Sequence, residues 1–422
     1  MKRYVIVGNG IAGTTAAEEI RKNNAEGEIT LITKESLPLY SRIRLPDFLC
    51  GKVSEKELII KNQEWHDKNR INLVTNVEIE QIDFNDKKVF SKKIDDNVKN
   101  QDSLNSNKID KTDNYNTFDF DSLLLAVGSN SFIPPVKGND FAGVMALRNI
   151  FDAKNIVKKI EKKGGNSKNI VIIGGGLLGI EAAAAFVNTG LKVTVVEYFN
   201  RLLPRQLDYK GSILMEKLLE NMGMSFSLDA VTDEIVGKVS EKAHKITSLI
   251  KGLKLKPQVT GVKLKSGEIL EANYVLFSAG VRPDLSLVQN SDIKIDKGIV
   301  VNEKMETSVE SVYAAGDAAE YTGVNFCIWQ EAMEQGRVAG INMAGGSAQY
   351  KNITPSNMLK VAGIVVASAG NIDVDGKMES DIVSTESIYK KIVKDNNGNI
   401  VGCIMVGDTT DFNKIVKQIK GE

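Results

Sequence analysis

The chain has 422 residues, enough for two or three domains with cores of their own. It carries 54 Lys plus Arg against 54 Asp plus Glu, a balance that argues against nucleic acid or a membrane surface as partner. Two histidines and three scattered cysteines, Cys50, Cys327 and Cys403, argue against a His-based metal site and a disulfide framework, and predict a reducing, cytoplasmic setting with no bound metal.

In chain order, Arg3–Val7 reads as a strand, followed by a glycine turn, a helix over Thr14–Asn23 and a strand over Ile29–Thr33, which together make a βαβ unit. The charged start and apolar run share features with a secretory leader. The run is short, however, and acids follow it instead of a clear cleavage site, so we read it as the first strand. "LPLYSRIRLPDFLCGK" (37–52) reads as a loop with two prolines and an excess of basic residues. Residues 91–117 are rich in Lys, Asn, Asp and Ser and predict a solvated hairpin extension or a disordered insert. "FDFDSLLLAVGS" (118–129) returns to a buried strand that stops in small residues.

From Ile170 the opening pattern repeats: strand, glycines, a helix over Leu178–Asn188, and a strand over Lys192–Val196. The apolar stretch from Ile170 to Val187 has the length of a membrane span. It carries four glycines and, mid-span, Glu181, which fits strand, turn and helix better than lipid. A polar meander covers 232–260. "YVLFSAG" (274–280) and "SVYAAGDAAE" (311–320) are further strands ending in small residues, and "WQEAMEQGRVAGINMAG" (329–345) reads as a helix. After Tyr350 short alternating runs predict a small α+β domain.

The two glycine turns carry the chemistry. Each is GxGxxG: Gly8, Gly10 and Gly13, then Gly174, Gly176 and Gly179. The first glycine permits the tight turn, the second lets the backbone approach a pyrophosphate, and the third lets helix and strand pack closely. The phosphates then rest on the helix start, at Ile11 and Ala12 in one copy and Leu177 in the other. An acid follows near the end of each next strand, Glu35 and Glu197, placed to accept hydrogen bonds from a ribose. Two dinucleotide sites suggest a resident flavin that takes hydride from a visiting nicotinamide.

Five ordered segments, "VIVGNGIAG", "FDSLLLAVGS", "VIIGGGLLGIE", "YVLFSAGVRPD" and "VYAAGDAA", resemble those of the two-dinucleotide-binding flavoproteins of the pyridine nucleotide-disulfide oxidoreductase superfamily. The resemblance covers about residues 1–345. It implies that the first turn binds FAD and the second NAD(P)H. Asp317, beside Gly316, would contact the ribityl and phosphate region, and the strand ends at Ala126–Gly128 and Ala279–Gly280 would lie against the dinucleotides. It also implies that Tyr40–Arg42 line the flavin, that Trp329 stands at its edge, and that Glu181 orients the nicotinamide carboxamide. Two plainer readings stay open: Glu181 as a carboxylate favoured near a helix N-terminus, and Trp329 as a core aromatic.

The departures are equally informative. The chain lacks the CxxxxC and the C-terminal His–Glu pair of the disulfide-reducing members, and Ile43 stands where single-cysteine oxidases carry their thiol. Cys50 is out of that register and reads as a packing residue. What remains resembles the non-thiol branch: NADH:rubredoxin or ferredoxin reductases and the flavin portion of NADH-dependent nitrite reductase. Where related reductases carry a flavin-side Lys, this chain has Asp47, with Arg42 or Arg44 as the replacement.

These readings predict an α/β protein with two Rossmann-like domains and a small α+β C-terminal domain. The FAD domain is discontinuous, 1–149 and 281–345. The NAD(P)H domain is 150–280 and the C-terminal domain 346–422. The expected activity passes hydride from NADH, with NADPH disfavoured by Glu197, to FAD and electrons on to a small iron–sulfur carrier. Two alternatives stay open, an NADH oxidase using dioxygen and a flavin-bound NADH-sensing interaction protein. The sequence does not fix the oligomeric state.

Overall fold

The computed structural model describes residues 1–93, 115–161, 168–239, 255–351 and 356–421. The chain divides into two compact units. The first comprises Met1–Ser41, Glu55–Asn130 and Val281–Ile353, and the second Arg42–Ser54, Ser131–Gly280 and Thr354–Glu422.

In the first unit a parallel sheet has the strand order Val312–Ala314, Ser122–Leu125, Arg3–Val7, Glu28–Ile32, Ile71–Val74. Val5 lies between Leu123 and Thr30. All four residues of Ser122–Leu125 are buried, as a central parallel strand covered on both faces requires. Burial of Leu123, Leu124 and Leu125 contributes roughly 1.5–3 kcal/mol each. The helix Ile11–Asn23 packs against Trp329–Met343 at very short range. A Cβ on Gly336 would lie 2.2 Å from the Ala12 carbonyl oxygen, and one on Gly340 would lie 2.5 Å from that of Ala16. Glycines spaced by four therefore form a seam on one helix, opposite alanines spaced by four on the other.

The second unit repeats the arrangement. Its parallel sheet runs Met224–Ser227, Lys192–Val196, Asn169–Ile173, Tyr274–Phe277, Val144–Ala146. Val171 lies between Thr194 and Val275, the same register as Val5 between Thr30 and Leu123. The C-terminal part of this unit is a five-stranded antiparallel sheet covered by the helix Phe412–Lys420. Phe412 and Ile415 pack there on Ala367, Ala369, Cys403 and Met405.

Three differences from the expected layout have physical causes. Both dinucleotide-turn helices begin earlier than read, at Ile11 and Leu177, because Gly10 and Gly176 are their extended N-caps and Gly13 and Gly179 lie inside the helices. Close packing there overrides the poor helix propensity of glycine. The stretch read as a loop over 37–52 holds a 3-10 turn, Arg42–Arg44, and a helix, Leu45–Leu49, started by Pro46 in its first turn and fixed by burial of Leu45 and Leu49. Residues 42–54 and 131–149 group with the second unit, and Val144–Ala146 forms the edge strand of its parallel sheet. The expectation for 91–117 falls mostly outside the described residues. On either side, Lys88–Lys93 and Tyr115–Asp119 pair antiparallel.

Candidate dinucleotide-binding sites

The two glycine turns have the same local geometry. Gly8 has φ +113°, and a Cβ there would sit 2.1 Å from the Ala126 carbonyl oxygen. Gly174 has φ +119°, and its Cβ would sit 2.3 Å from the Ser278 carbonyl oxygen. Both positions therefore exclude a side chain on two counts. A Cβ on Gly13 or Gly179 would lie 2.0 Å from the carbonyl oxygen of Gly8 or Gly174. Gly10 and Gly176 differ: no atom lies within 4 Å of where their Cβ would be. These two glycines face open space in front of the helix start.

That space suits an anion. Neither helix has a side-chain cap and neither has an acid in its first turn, so first-turn N–H groups are left without intrahelical partners at the positive end of the helix dipole. At the first turn Asn9 is buried. Its Oδ1 accepts from Thr14 Oγ1 at 2.9 Å, while its Nδ2 has no protein partner. A donor left in this state next to an open cradle fits a site that a polar ligand completes. The residues present thus fit a pyrophosphate at each turn.

The two acids are held differently. Glu35 is half-buried and accepts from the Tyr40 hydroxyl at 2.5 Å, which ties the Tyr40 stretch to the end of the second strand. Glu197 is buried, its Oε2 accepting from Gly175 N at 2.5 Å and its Oε1 from Phe199 N at 2.9 Å. Each carboxylate oxygen keeps a second lone pair. Glu197 is therefore rigidly placed against the second glycine turn, still able to accept from a hydroxyl. Arg201 donates to the carbonyls of Leu207 and Pro204, at 3.3 and 3.2 Å, so its guanidinium braces the loop that follows Glu197.

Around the first turn, Ser129 Oγ donates to Asp317 Oδ2 at 2.7 Å, and Gly316, at φ +77°, donates its N–H to Gln335 Oε1 at 2.8 Å. The structure thus joins the strand end at 126–129, the Gly316–Asp317 turn and the helix Trp329–Met343. Ser129 and Gln335 were not legible as site residues; their signal was only adjacency to Gly128 and to the helix. Trp329 is half-buried at the first turn of that helix and is not among the buried core residues. Gly128 and Gly280 have φ +78° and +95° and open space beside them.

Glu181 lies in the second turn of Leu177–Asn188, and its Oε1 accepts from the backbone N–H of Ala362 at 3.1 Å, in the hairpin between Ser356–Val361 and Ile364–Gly370. Burial pushes its carboxyl above the ordinary range, the Ala362 N–H counters this, Asp47 adds to it and Lys52 opposes it. Lys52 is thus a cation that acts on Glu181, while Asp47, which stands where related reductases carry a flavin-side Lys, acts against it. Arg42 instead donates to the Arg148 carbonyl at 3.2 Å, and Arg44 lies 3.6 Å from Asp47. Among the described residues no cluster of His, Cys, Asp and Glu is arranged to hold a metal, and no helix is long and apolar enough to cross a membrane. All three cysteines are free thiols.

Residues 2–336 match the family model described as pyridine nucleotide-disulphide oxidoreductase. The chain belongs to that family. Residues 355–422 match the rubredoxin NAD+ reductase C-terminal domain. The chain is 33% identical over 425 residues to nitrite reductase [NAD(P)H] of Bacillus subtilis, covering all of this chain and 47% of that protein. It therefore spans about half the length of this relative. It is 28% identical to NADH-rubredoxin oxidoreductase of Clostridium acetobutylicum, covering 99% of this chain and 94% of that one. The crystal structure of the Clostridium acetobutylicum NADH:rubredoxin oxidoreductase superposes with a TM-score of 0.75 at 28% identity, covering 100% of this chain and 95% of that chain. The family brings a flavin and a nicotinamide nucleotide as its cofactors, matching the two cradles.

Proposed function

We propose that this chain is an FAD-dependent NADH oxidoreductase that delivers electrons to a small iron–sulfur protein of the rubredoxin or ferredoxin class. The observation that carries this reading is the pair of matched glycine cradles, each with an uncapped helix start and open space at the middle glycine. FAD is assigned to the first, with Gly8, Gly10, Gly13, Glu35, Ala126, Gly128 and Asp317, and NADH to the second, with Gly174, Gly176, Gly179, Glu197 and Gly280. The corresponding domains are 1–149 with 281–345, 150–280 and 346–422, except that residues 42–54 and 131–149 group with the NADH unit, to whose sheet Val144–Ala146 adds an edge strand. A flavin, when bound, accepts hydride from a nicotinamide and releases electrons singly. The protein's part is to hold and orient both groups and to exclude water. The three free thiols fit a reducing, cytoplasmic setting.

In this reading Trp329 borders the flavin, and Glu181 positions the nicotinamide with its carboxylate held by the Ala362 N–H. Glu181→Gln keeps that acceptor and removes the charge. Its expected result is slower flavin reduction by NADH together with a higher thermal midpoint at pH 7. The sign follows from a carboxyl whose folded-state pKa is raised: its ionised form opposes folding. The gain is full above the raised folded-state value and vanishes below the ordinary Glu value of about 4.3. Equal midpoints for the two proteins at pH 7 would remove this account of Glu181.

The acceptor is tested by steady-state turnover of the FAD-loaded protein with NADH, comparing dioxygen with a panel of rubredoxins and ferredoxins. The expected result is a kcat/KM for at least one carrier far above that for dioxygen, falling as salt is raised because redox partners meet through small, charge-steered interfaces. Turnover with dioxygen alone would assign the chain as an oxidase.

A further inference from the structure

The strand Tyr389–Lys394 alternates buried and half-buried residues, so its inward positions are Tyr389, Lys391 and Val393. A lysine in such a slot calls for an explanation, and Lys391 is only 3% exposed. Its Nζ donates to the carbonyls of Asp373 and Ile372 at 2.6 and 3.2 Å, and lies 3.4 Å from both Asp373 Oδ2 and Asp208 Oδ2. Tyr389, fully buried beside it, donates its hydroxyl to the same Asp208 Oδ2 at 2.7 Å.

Asp208 belongs to the other part of the same unit. It is the N-cap of the helix Tyr209–Glu220, with Oδ1 accepting from Gly211 N at 2.9 Å, and it ends the loop that leaves Glu197. That loop is tethered at two further points. Ser212 Oγ, in the first turn of the helix, accepts from Leu202 N at 2.7 Å, and Leu203 N donates to Gly175 O at 3.0 Å, inside the second glycine turn. Hydrogen bonds and one turn of helix thus run without a break from Tyr389 and Lys391, through Asp208 and Ser212, to Gly175. A buried charge pair is a weak source of stability compared with an apolar one, but it fixes register, because a displaced partner leaves a charge unpaired.

We propose that Lys391 and Tyr389 are positioning residues for NADH: through Asp208 the C-terminal sheet sets the loop that shapes the nucleotide side of the second glycine turn. This rests on the reading of that turn as the NADH site. In the FAD-loaded protein Lys391→Met is expected to raise the KM for NADH about tenfold, within the range that transmitted couplings reach. The kcat at saturating NADH and the FAD content stay at wild-type levels. Tyr389→Phe moves KM in the same direction by a smaller factor. Combining Asp208→Asn with Lys391→Met removes the Asp208–Lys391 charge pair, leaves the Asp373 carboxylate on the N–H groups of Lys377 and Met378, keeps an acceptor at the helix cap, and recovers part of the lost affinity.

A merely structural role would lower kcat, FAD content and yield together and leave KM unmoved. If Lys391→Met does not fold, Tyr389→Phe decides by the same ratio. Wild-type KM in the variants that fold, with the wild-type flavin reduced by NADH, overturns the strut and leaves the NADH site standing. A wild-type flavin that NADH does not reduce overturns both.

Discussion

Gly10→Val protein is expected to fold and to purify almost free of FAD, with the flavin-to-protein ratio falling from about one to below about a tenth, because a side chain there occupies the path of the pyrophosphate. The geometry makes this a test of the ligand separately from the fold. Gly8 and Gly13 are locked by backbone, with would-be Cβ atoms 2.1 and 2.0 Å from carbonyl oxygens, so substitution there breaks the turn itself. Gly10 has extended backbone at φ −79° and ψ −175°, which any residue adopts, and nothing within 4 Å of its Cβ position. Gly176→Val is the matched control. Gly176 has φ −78° and ψ 179° and the same open space, so this protein is expected to keep its FAD and lose NADH binding. Flavin absorbance of the purified proteins against their concentration checks the FAD content of both, and bleaching of that flavin by NADH checks nucleotide binding in Gly176→Val. A Gly10→Val protein with a full complement of FAD would move the flavin away from the first turn.

NADH is expected to be preferred over NADPH by more than about tenfold in kcat/KM. Two like charges about 4 Å apart at an effective dielectric of 20 cost ~4 kcal/mol, and half of that after relaxation still exceeds a factor of ten. The structure strengthens the case in two ways. Glu197 is fixed by the N–H groups of Gly175 and Phe199 and has little freedom to turn away from a 2′-phosphate. Arg201, the nearby cation that such a phosphate would recruit, is engaged with the carbonyls of Leu207 and Pro204. Initial rates with each nucleotide measure the ratio directly. Equal kcat/KM for the two would end the assigned role of Glu197.

Local patterning carried much of this fold into view. The strands Arg3–Val7 and Lys192–Val196 have the bounds their apolar runs predict, and the repeated glycine turn reappears as two parallel sheets in one register. The helix starts at Ile11 and Leu177 were hidden because glycine inside a helix is decided by packing, which single-residue propensity does not contain. The helix Leu45–Leu49 was hidden for a related reason: a five-residue helix has too short a period to read, and its prolines and charges signal a loop. Contacts supplied by distant segments were out of reach. Ala362 meets Glu181 across 181 positions, as Tyr389 meets Asp208, and no spacing rule anticipates either. The loop over 37–52 was legible as basic, but not that Arg42 is engaged with a carbonyl or that Lys52 acts on Glu181.

In the proposed reaction NADH reduces a flavin held by this chain and a protein carrier reoxidises it. Anaerobic rapid mixing of the FAD-loaded protein with NADH, followed by a second mix with an oxidised rubredoxin or ferredoxin, reads both halves in one trace. The flavin absorbance is expected to bleach promptly on the first mix, at a rate no slower than turnover, and to return on the second. A flavin that stays oxidised with NADH bound, or one that bleaches and returns only when dioxygen is admitted, would contradict the proposed reaction.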